Sequence, residues 1–331
     1  MLQRLLLLGM LSPLVADRRS AGVHSVCCPC SLELQNAAVL VRFDGCTGAV
    51  TSLQRRATGA VDMLSGDTRA PDHGPFAIWV DARPPWLAVN ALDHAKAAPG
   101  MSCTGQTGCV ALPRNGSGAL TAADCRMVSY SQKFRNTTLE MELVPKKHAY
   151  PLRITLTATL STDASASTPV LFALNVVNTG AAALNLQCAF PILRGVRLGA
   201  NGSDDLGVMH QETGIPGVPA WGGCDAGPTP DSCGGILGYH VSSLWQQAYA
   251  ADGTQGLAVI VNDTTGKPRM MGRFGEGIVA PEPIASSGVM YSMPYPGSTL
   301  PPNASITSSA LVVAHAGNWR TGAAYYRKWL I

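Results

Sequence analysis

Apolar and polar side chains alternate along much of this chain, and the clearest alternation lies between Arg126 and Ile192. Three runs there have an apolar residue at every second position: Leu139–Leu143, Leu152–Leu160 and Leu184–Phe190. Turn-forming residues separate these runs, and no helical periodicity lies between them. Because a period of two places successive side chains on opposite faces of a strand, the block predicts an antiparallel β-sandwich.

Shorter β-prone runs lie on both sides of this block. Between Leu32 and Leu53, the turn residues Asp44-Gly45 separate two alternating runs, which predicts a hairpin. Further strands are predicted at Phe76–Val80, Trp86–Val89, Ser243–Ala250, Leu257–Asn262 and Ile306–Ala314. With about a dozen strands, the chain is typical of a large all-β fold built from two antiparallel sheets.

Two stretches depart from simple alternation. Leu171–Val177 is apolar almost throughout, which predicts a strand that is buried on both faces. Gly195–Gly235 is rich in Gly, Pro and Asp and is predicted to be a long irregular loop. Loops of that length in a compact domain are often functional, so binding residues are expected there.

The chain closes with a β-prone run and then a predicted helix that begins after Asn318, which is placed as the N-cap residue. One face of this helix is predicted to carry Trp319, Gly322, Ala323, Tyr326 and Leu330. A helix of about three turns is marginal in water unless it packs on something. The sequence does not decide whether this helix packs on its own domain or on a further domain.

Composition excludes several classes of function. The chain has 331 residues, of which 46% are hydrophobic and 14% charged, and its net charge is +3. The basic residues are scattered, so neither nucleic acid nor an anionic membrane surface is an expected partner. No GxGxxG or P-loop motif is present, and no cofactor is predicted. Beyond the N-terminus no apolar run approaches the roughly 18 residues of a membrane span.

The N-terminus predicts a secretory signal peptide over residues 1–21. Arg4 supplies the positive charge, Leu5–Val15 is a short apolar core, and Ala16 or Ala21 marks a cleavage site. Five Asn-X-Ser/Thr sequons predict N-glycosylation, at Asn115, Asn136, Asn201, Asn262 and Asn303. Both features predict a secreted protein or one of the endomembrane lumen.

The ten cysteines are an even number, which fits disulfide bonding in an oxidising compartment. Short spacings across Gly-containing loops favour the pairs Cys224–Cys233 and Cys103–Cys109, although the sequence leaves the connectivity open. Zinc is the alternative for the cluster Cys27–Cys30. That cluster lacks a second paired half with ligand spacing, so no metal site is predicted.

Four segments in order resemble galactose-mutarotase-like β-supersandwich domains, which precede the catalytic barrel in many glycoside hydrolases. They are Val39–Gly59, Phe190–Asp205, Ala251–Arg269 and the ending GNWRTGAAYYRKWL. The resemblance implies a supersandwich over residues 22–317 and a helix over residues 318–331 that links it to a C-terminal catalytic barrel. The barrel would carry the catalytic carboxylates and is absent from this chain, so the family's catalytic residues cannot be placed.

Candidate site residues concentrate in the irregular loop. A sugar epimerase needs a general acid and a general base, and His210 with Glu212 is the candidate pair, on one side of an extended segment. Sugar recognition needs aromatic platforms and polar side chains, for which the candidates are Trp221, Trp245, Tyr239 and Asp205. The alternatives are a solvated polar loop for the first pair, core packing for the tryptophans, and Ca²⁺ coordination by adjacent aspartates.

Three hypotheses follow. The first is a secreted, carbohydrate-binding accessory domain of a glycoside hydrolase-like protein, without catalytic activity of its own. The second is a free-standing carbohydrate-active enzyme, aldose 1-epimerase-like or a glycosidase, with a His/Glu pair on the concave sheet. The third is an extracellular protein that uses the sandwich only as a scaffold.

Overall fold

The computed structural model describes residues 31–57, 61–64, 74–81, 119–133, 137–146, 150–161, 169–200, 202–209, 215–220, 236–237, 244–262, 269–275, 288–294 and 297–331. This part of the chain contains twenty β-strands and one α-helix. All the strand pairs in its four sheets are antiparallel.

The first sheet is a three-stranded meander of β1 (Ser31–Gln35), β2 (Val39–Asp44) and β3 (Val50–Arg55). The predicted hairpin is confirmed between β2 and β3. One oxygen of the Asp44 carboxylate accepts hydrogen bonds from the backbone N–H groups of Cys46 (3.0 Å) and Thr47 (2.7 Å). Gly48 then adopts a φ of +68°, which a residue without Cβ reaches at little cost.

The largest sheet has nine strands in the order β13-β12-β15-β16-β20-β9-β8-β7-β6. Their bounds are β6 Cys125–Lys133, β7 Thr138–Pro145, β8 Leu152–Leu160, β9 Val170–Asn178, β12 Leu206–Met209, β13 Ile215–Pro219, β15 Trp245–Tyr249, β16 Gln255–Val261 and β20 Ser305–Ala316. The alternating runs Leu139–Leu143 and Leu152–Leu160 lie in β7 and β8, as predicted.

Two four-stranded sheets have the orders β19-β10-β4-β5 and β11-β18-β17-β14. Their bounds are β4 Ala77–Val80, β5 Ala119–Thr121, β10 Leu184–Ala189, β11 Ile192–Val196, β14 Ile236–Leu237, β17 Arg269–Gly275, β18 Gly288–Pro294 and β19 Ser298–Leu300. Single 3₁₀ turns lie at Ala122–Asp124 and Gly202–Asp204.

One continuous core joins the nine-stranded sheet to the smaller sheets. It contains Ile154, Phe172 and Val312 from the large sheet together with Phe43 and Ile78 from the small sheets, all of them buried. Burial of such a surface is the main force that holds two β-layers together. The predicted all-β supersandwich is therefore confirmed.

Two predictions about strands are wrong. In β9 only Val170, Phe172, Leu174, Val176 and Asn178 are buried, and the alternate residues are partly exposed, so the strand is not covered on both faces. The predicted irregular loop contains β12 and β13, which form a hairpin on the edge of the large sheet. Both strands are short and contain Gly or Pro, which are depleted in strands, so the composition favoured a loop.

The terminal helix, α1 (Trp319–Leu330), packs on its own domain. The Asn318 side chain accepts a hydrogen bond from the Arg320 N–H (3.1 Å), which confirms the predicted N-cap. Gly322 is buried against the sheet, but Leu330 is 59% exposed, contrary to the predicted face. Trp329 takes the packing position that Leu330 was expected to occupy.

The described cysteines are of two kinds. Cys46 is disulfide-bonded, whereas Cys125 and Cys188 are buried and form no disulfide bond. Any disulfide framework therefore does not include these two cysteines. Burial, with a smaller effect from the nearby Asp124 carboxylate, raises the pKa of Cys125 to about 12. In the described ranges, no helix has both the length and the apolar character needed to cross a membrane.

Candidate functional site

The outer face of the nine-stranded sheet is divided into a covered part and an open part. Helix α1 lies over β15, β16 and β20, where it packs on Trp245, Tyr249, Ile260 and Val313. The outer faces of β7, β8 and β9, and the first part of β20, are not in that packed cluster. The register of the strands decides which side chains meet in each part.

Polar side chains from four strands line up in rows on the open part. Strand pairing sets Glu142, Thr155, Asn175 and Thr307 side by side across β7, β8, β9 and β20. The next row is Glu140, Thr157, Ala173 and Ser309. These eight residues are all partly or fully exposed, and they are called here the open polar face.

Hydrogen bonds fix some of the side chains in this face. The Thr307 Oγ1 hydroxyl donates to Asn175 Oδ1 at 3.1 Å. This bond uses Asn175 Oδ1, so the Nδ2 group of the same amide can donate to a ligand. Hydroxyls, amides and carboxylates are side-chain groups that can exchange hydrogen bonds with the hydroxyl groups of a ligand.

A tryptophan of α1 lies at the edge of the open polar face. Trp329 Nε1 donates to Asn262 Oδ1 (3.4 Å), and Ser309 Oγ donates to the Asn262 carbonyl (3.0 Å). Trp329 and Asn262 are both partly buried. These three residues are called here the Trp329 corner, and they place an indole ring beside the second row of the open polar face.

Stacked aromatic rings hold Trp329 in place. Its ring stacks on Tyr326 with centroids 5.9 Å apart, and Tyr326 stacks on Trp245 with centroids 5.6 Å apart. The Tyr326 hydroxyl accepts a hydrogen bond from the Leu244 backbone N–H at 3.1 Å. Because stacking and a hydrogen bond both restrain Tyr326, the ring of Trp329 has a fixed support on one side.

A buried polar pair lies beneath the first half of α1. His315 is 0% exposed, and its Nδ1 lies 2.9 Å from the Ala316 carbonyl oxygen, which can only accept, so Nδ1 carries the proton. Its Nε2 then accepts from Gln247 Nε2 at 3.4 Å. Burial, with a smaller effect of the Arg55 charge, lowers the pKa of His315.

This pair has no arrangement for acid–base catalysis. The two hydrogen-bond partners of His315 are an amide and a backbone carbonyl, not a carboxylate. Two glycines leave space for the side chains of this pair. A Cβ at Gly256 would lie 2.4 Å from His315 Cε1, and a Cβ at Gly322 would lie 2.1 Å from Gln247 Oε1. The geometry is that of a buried polar pair inside a helix–sheet interface.

The structure places two of the residues that the sequence selected for sugar binding. Trp245 is 7% exposed and lies under α1 against Tyr326. Asp205 is 1% exposed, and its carboxylate accepts from the N–H groups of Leu198 and Gly199, each at 2.9 Å. Both side chains are thus used within the protein, and their roles in sugar binding stay predictions.

Other predicted residues lie outside the described part of the chain. These are His210, Glu212, Trp221 and Tyr239, the cysteines Cys103, Cys109, Cys224 and Cys233, and the sequons at Asn115, Asn136 and Asn201. Asn262 and Asn303 are described, and Asn303 is exposed with a φ of +59°.

Sequence reasoning did not identify the residues of the open polar face. The signal for them was the run of threonines that alternates with apolar residues in β8. That pattern identifies a polar face, but it does not show which strands lie beside it.

Comparison with known structures identifies the fold. The structure is similar to that of an Escherichia coli K12 protein provisionally assigned as an aldose 1-epimerase, with a TM-score of 0.51 and 13% identity over 86% of this chain and 99% of the other. It is also similar to a galactose mutarotase related enzyme from Lactobacillus acidophilus, with a TM-score of 0.48 and 9% identity over 87% and 98% of the two chains.

A third similarity is to part of a longer chain, a GH36 α-galactosidase from Geobacillus stearothermophilus. The TM-score is 0.43 and the identity 11%, over 87% of this chain and 41% of the other. No protein-family model and no curated protein sequence matches this chain. At the identity with the Escherichia coli protein, the comparison shows a common fold, the galactose-mutarotase-like supersandwich, and not a common activity.

Proposed function

We propose that this chain binds carbohydrate on the open polar face and serves as the accessory domain of a secreted, carbohydrate-active protein. The observation that carries the proposal is the combination of two rows of polar side chains with an indole ring at their edge. Sugars are recognised by hydrogen bonds to hydroxyl groups and by packing of C–H groups on aromatic rings. The open polar face and the Trp329 corner offer both.

The fold supports this proposal without deciding it. The sequence resembles supersandwich domains of glycoside hydrolases, and the Escherichia coli protein with the same fold is provisionally assigned to sugar chemistry. Because one fold serves many functions, the chemistry must come from the site itself. The predicted signal peptide over residues 1–21 and the sequons are the reasons to include secretion in the proposal.

The burial of His315 removes it as a candidate for the histidine of a sugar epimerase. A sugar epimerase needs a histidine and a carboxylate that both reach the sugar. His315, which is the one histidine in the described ranges, is sealed under α1. The alternative, an aldose 1-epimerase-like enzyme or a glycosidase, therefore rests on His210 and Glu212. A catalytic barrel remains the proposed functional partner.

A binding screen tests the proposal. The purified chain is titrated with mono- and oligosaccharides in a calorimeter, and the best ligand is tested on the double variant Asn175→Ala/Thr307→Ala. We expect the affinity to fall about tenfold or more, because two neighbouring hydrogen-bonding side chains are lost. Glu33→Ala, which removes a 39% exposed carboxylate on β1, is the control and is expected to bind as the wild type does.

The outcomes separate the hypotheses. Binding that survives the double variant, or the absence of binding to every sugar, would contradict the proposed site. A polarimetric assay of mutarotation checks the alternative. Mutarotation that is lost in Glu212→Gln while sugar binding remains would favour the enzyme.

A further inference from the structure

Asn262 is the first residue of the sequon Asn262-Asp263-Thr264, and its side chain is held in one orientation. Its Oδ1 accepts from Trp329 Nε1 at 3.4 Å. In the described part of the chain, its Nδ2 group donates no hydrogen bond. The backbone on both sides of the side chain is also fixed, because Asn262 N–H donates to Ser309 O (3.0 Å) and Asn262 O accepts from Ser309 Oγ.

The neighbouring indole ring is suited to receive a sugar. Trp329 is partly exposed, and the stack on Tyr326 occupies one side of it. A hexose linked to Asn262 Nδ2 would start beside this ring, because the Asn262 amide accepts the hydrogen bond from Trp329 Nε1. Packing of the sugar C–H groups on the negative face of an indole is favourable, and the restrained ring loses little freedom when it binds.

We propose that Asn262 carries an N-linked glycan whose first sugar packs on Trp329, so that the protein's own glycan borders the open polar face. In the modification, a bond forms between Asn262 Nδ2 and C1 of an N-acetylglucosamine unit. The bond from C1 to the diphosphate of a lipid-linked oligosaccharide breaks, and the lipid diphosphate leaves with the electron pair. The amide proton passes to a base, and no oxidant or reductant is required.

Asn303 provides the internal comparison. It lies in the exposed turn before β20, in the sequon Asn303-Ala304-Ser305, and no aromatic contact of its side chain is among the interactions of the described residues. A glycan there projects into water. The two sites therefore differ in their surroundings. A difference between the rates at which their glycans are removed would report on the contact with the Trp329 corner.

The test uses the full chain with its own N-terminus, secreted from cultured eukaryotic cells. Peptide mapping by mass spectrometry measures the occupancy of Asn262 and Asn303. The folded protein is then treated with an endoglycosidase, and the loss of each glycan is followed over time. We expect both sites to be occupied and the Asn262 glycan to be removed several times more slowly, because its first sugar is packed against the ring.

Three variants complete the design. In Trp329→Leu, the Asn262 glycan is expected to be removed as fast as the Asn303 glycan, whose own rate stays unchanged. Thr264→Ala and Ser305→Ala each abolish one sequon and identify the glycans. An unmodified Asn262, or equal removal rates at the two sites of the wild type, would overturn the inference. Both readings are made on the wild-type protein, so they hold even if Trp329→Leu folds poorly.

The inference does not rest on the proposed function, but the two share Trp329, because a glycan packed on this ring takes the aromatic surface that the proposed function offers to a bound sugar. The inference requires a glycan on Asn262, whereas the proposed function requires a separate sugar to bind the open polar face. The Thr264→Ala protein joins the two questions, because its sugar affinity shows whether the glycan limits access to that face.

Discussion

His315 is held neutral by its surroundings. It is 0% exposed, it donates to one carbonyl and it accepts from one amide, and of these two partners only the carbonyl favours an imidazolium ion. Burial and the Arg55 charge both lower its pKa, while the bond to Ala316 opposes them. A buried group of this kind links the stability of the helix–sheet interface to pH.

We expect the free energy of unfolding to fall as the pH is lowered through the unfolded-state pKa of histidine, about 6.5. The unfolded chain binds a proton there, whereas the folded chain does not until a lower pH is reached, so acid favours unfolding. Urea denaturation at several pH values between about 5.5 and 7.5 measures this slope. In His315→Gln this part of the slope should vanish, and an identical slope in both proteins would contradict the assignment.

Gly48 illustrates a different constraint, because its φ of +68° is combined with a close approach. A Cβ at this position would lie 2.6 Å from Leu156 Cδ2 and 3.1 Å from Met141 Sδ. Gly253 has nearly the same φ, +69°, but a Cβ there would meet only Asn318 Cβ, at 3.8 Å. Comparing substitutions at the two positions therefore separates the free-energy cost of backbone strain from that of steric conflict.

We expect Gly253→Ala to destabilise the protein by about 1 kcal/mol, because an L-residue is strained at this φ. Gly48→Ala should cost roughly 1–3 kcal/mol more, because the core must also move away from the new methyl group. Chemical denaturation of both variants measures the difference. Equal losses of unfolding free energy in the two variants would contradict this expectation, because Leu156 and Met141 would then move aside at no energetic cost.

At the scale of elements, α1 is stabilised by the sheet rather than by its own sequence. A helix of 12 residues is marginal by itself in water. Asn318 caps its start, and Arg327 and Lys328 in the last turn interact favourably with the helix dipole. The stack of Tyr326 on Trp245 then connects the helix to the sheet, and the stack of Trp329 on Tyr326 lies within the helix.

Tyr326→Ala should therefore destabilise the protein by about 2–4 kcal/mol, since it removes two stacks and the hydrogen bond to Leu244. Tyr326→Phe keeps the stacks and should cost about 1 kcal/mol. Leu330→Ala removes a side chain that is 59% exposed and serves as the control, with little change expected. Thermal unfolding compares the three variants, and an effect of Leu330→Ala as large as that of Tyr326→Ala would contradict the packing.

At the scale of the whole molecule, the core runs without a break from the nine-stranded sheet to the small sheets. Cys125 on β6 and Cys188 on β10 both belong to it, although they lie in different sheets. Because the thiolate is the reactive form, burial and a pKa of about 12 make the Cys125 thiol inert in the folded protein.

We expect both thiols to react with a disulfide reagent only when the protein unfolds globally, with one midpoint in urea. Circular dichroism at the same urea concentrations should give the same midpoint, because one core implies one cooperative transition. Reaction of either thiol at a lower urea concentration would show that its sheet opens separately. Cys188→Ala then assigns the remaining signal to Cys125.

The sequence predicted individual strands well and their surroundings poorly. The alternation in Leu152–Leu160 identified β8, because the period of two is a property of the strand itself. Leu171–Val177 was assigned two buried faces because its outward residues include Leu171 and Val177, yet its neighbours across the sheet leave that face partly exposed. At the site, the threonines of β8 indicated a polar face, but nothing local indicated Trp329 beside it.

The sequence by itself determined the strands with a regular alternation, the Asp44 turn, the Asn318 cap and the all-β class, because each depends on residues close together in the chain. Only the tertiary structure decided which strands are neighbours, that α1 covers β15, β16 and β20, and that Asn262 meets Trp329 across 67 positions. Strand register and helix docking depend on contacts between distant segments. A pattern that repeats every two residues fits several such arrangements, and the packing of the whole core selects one.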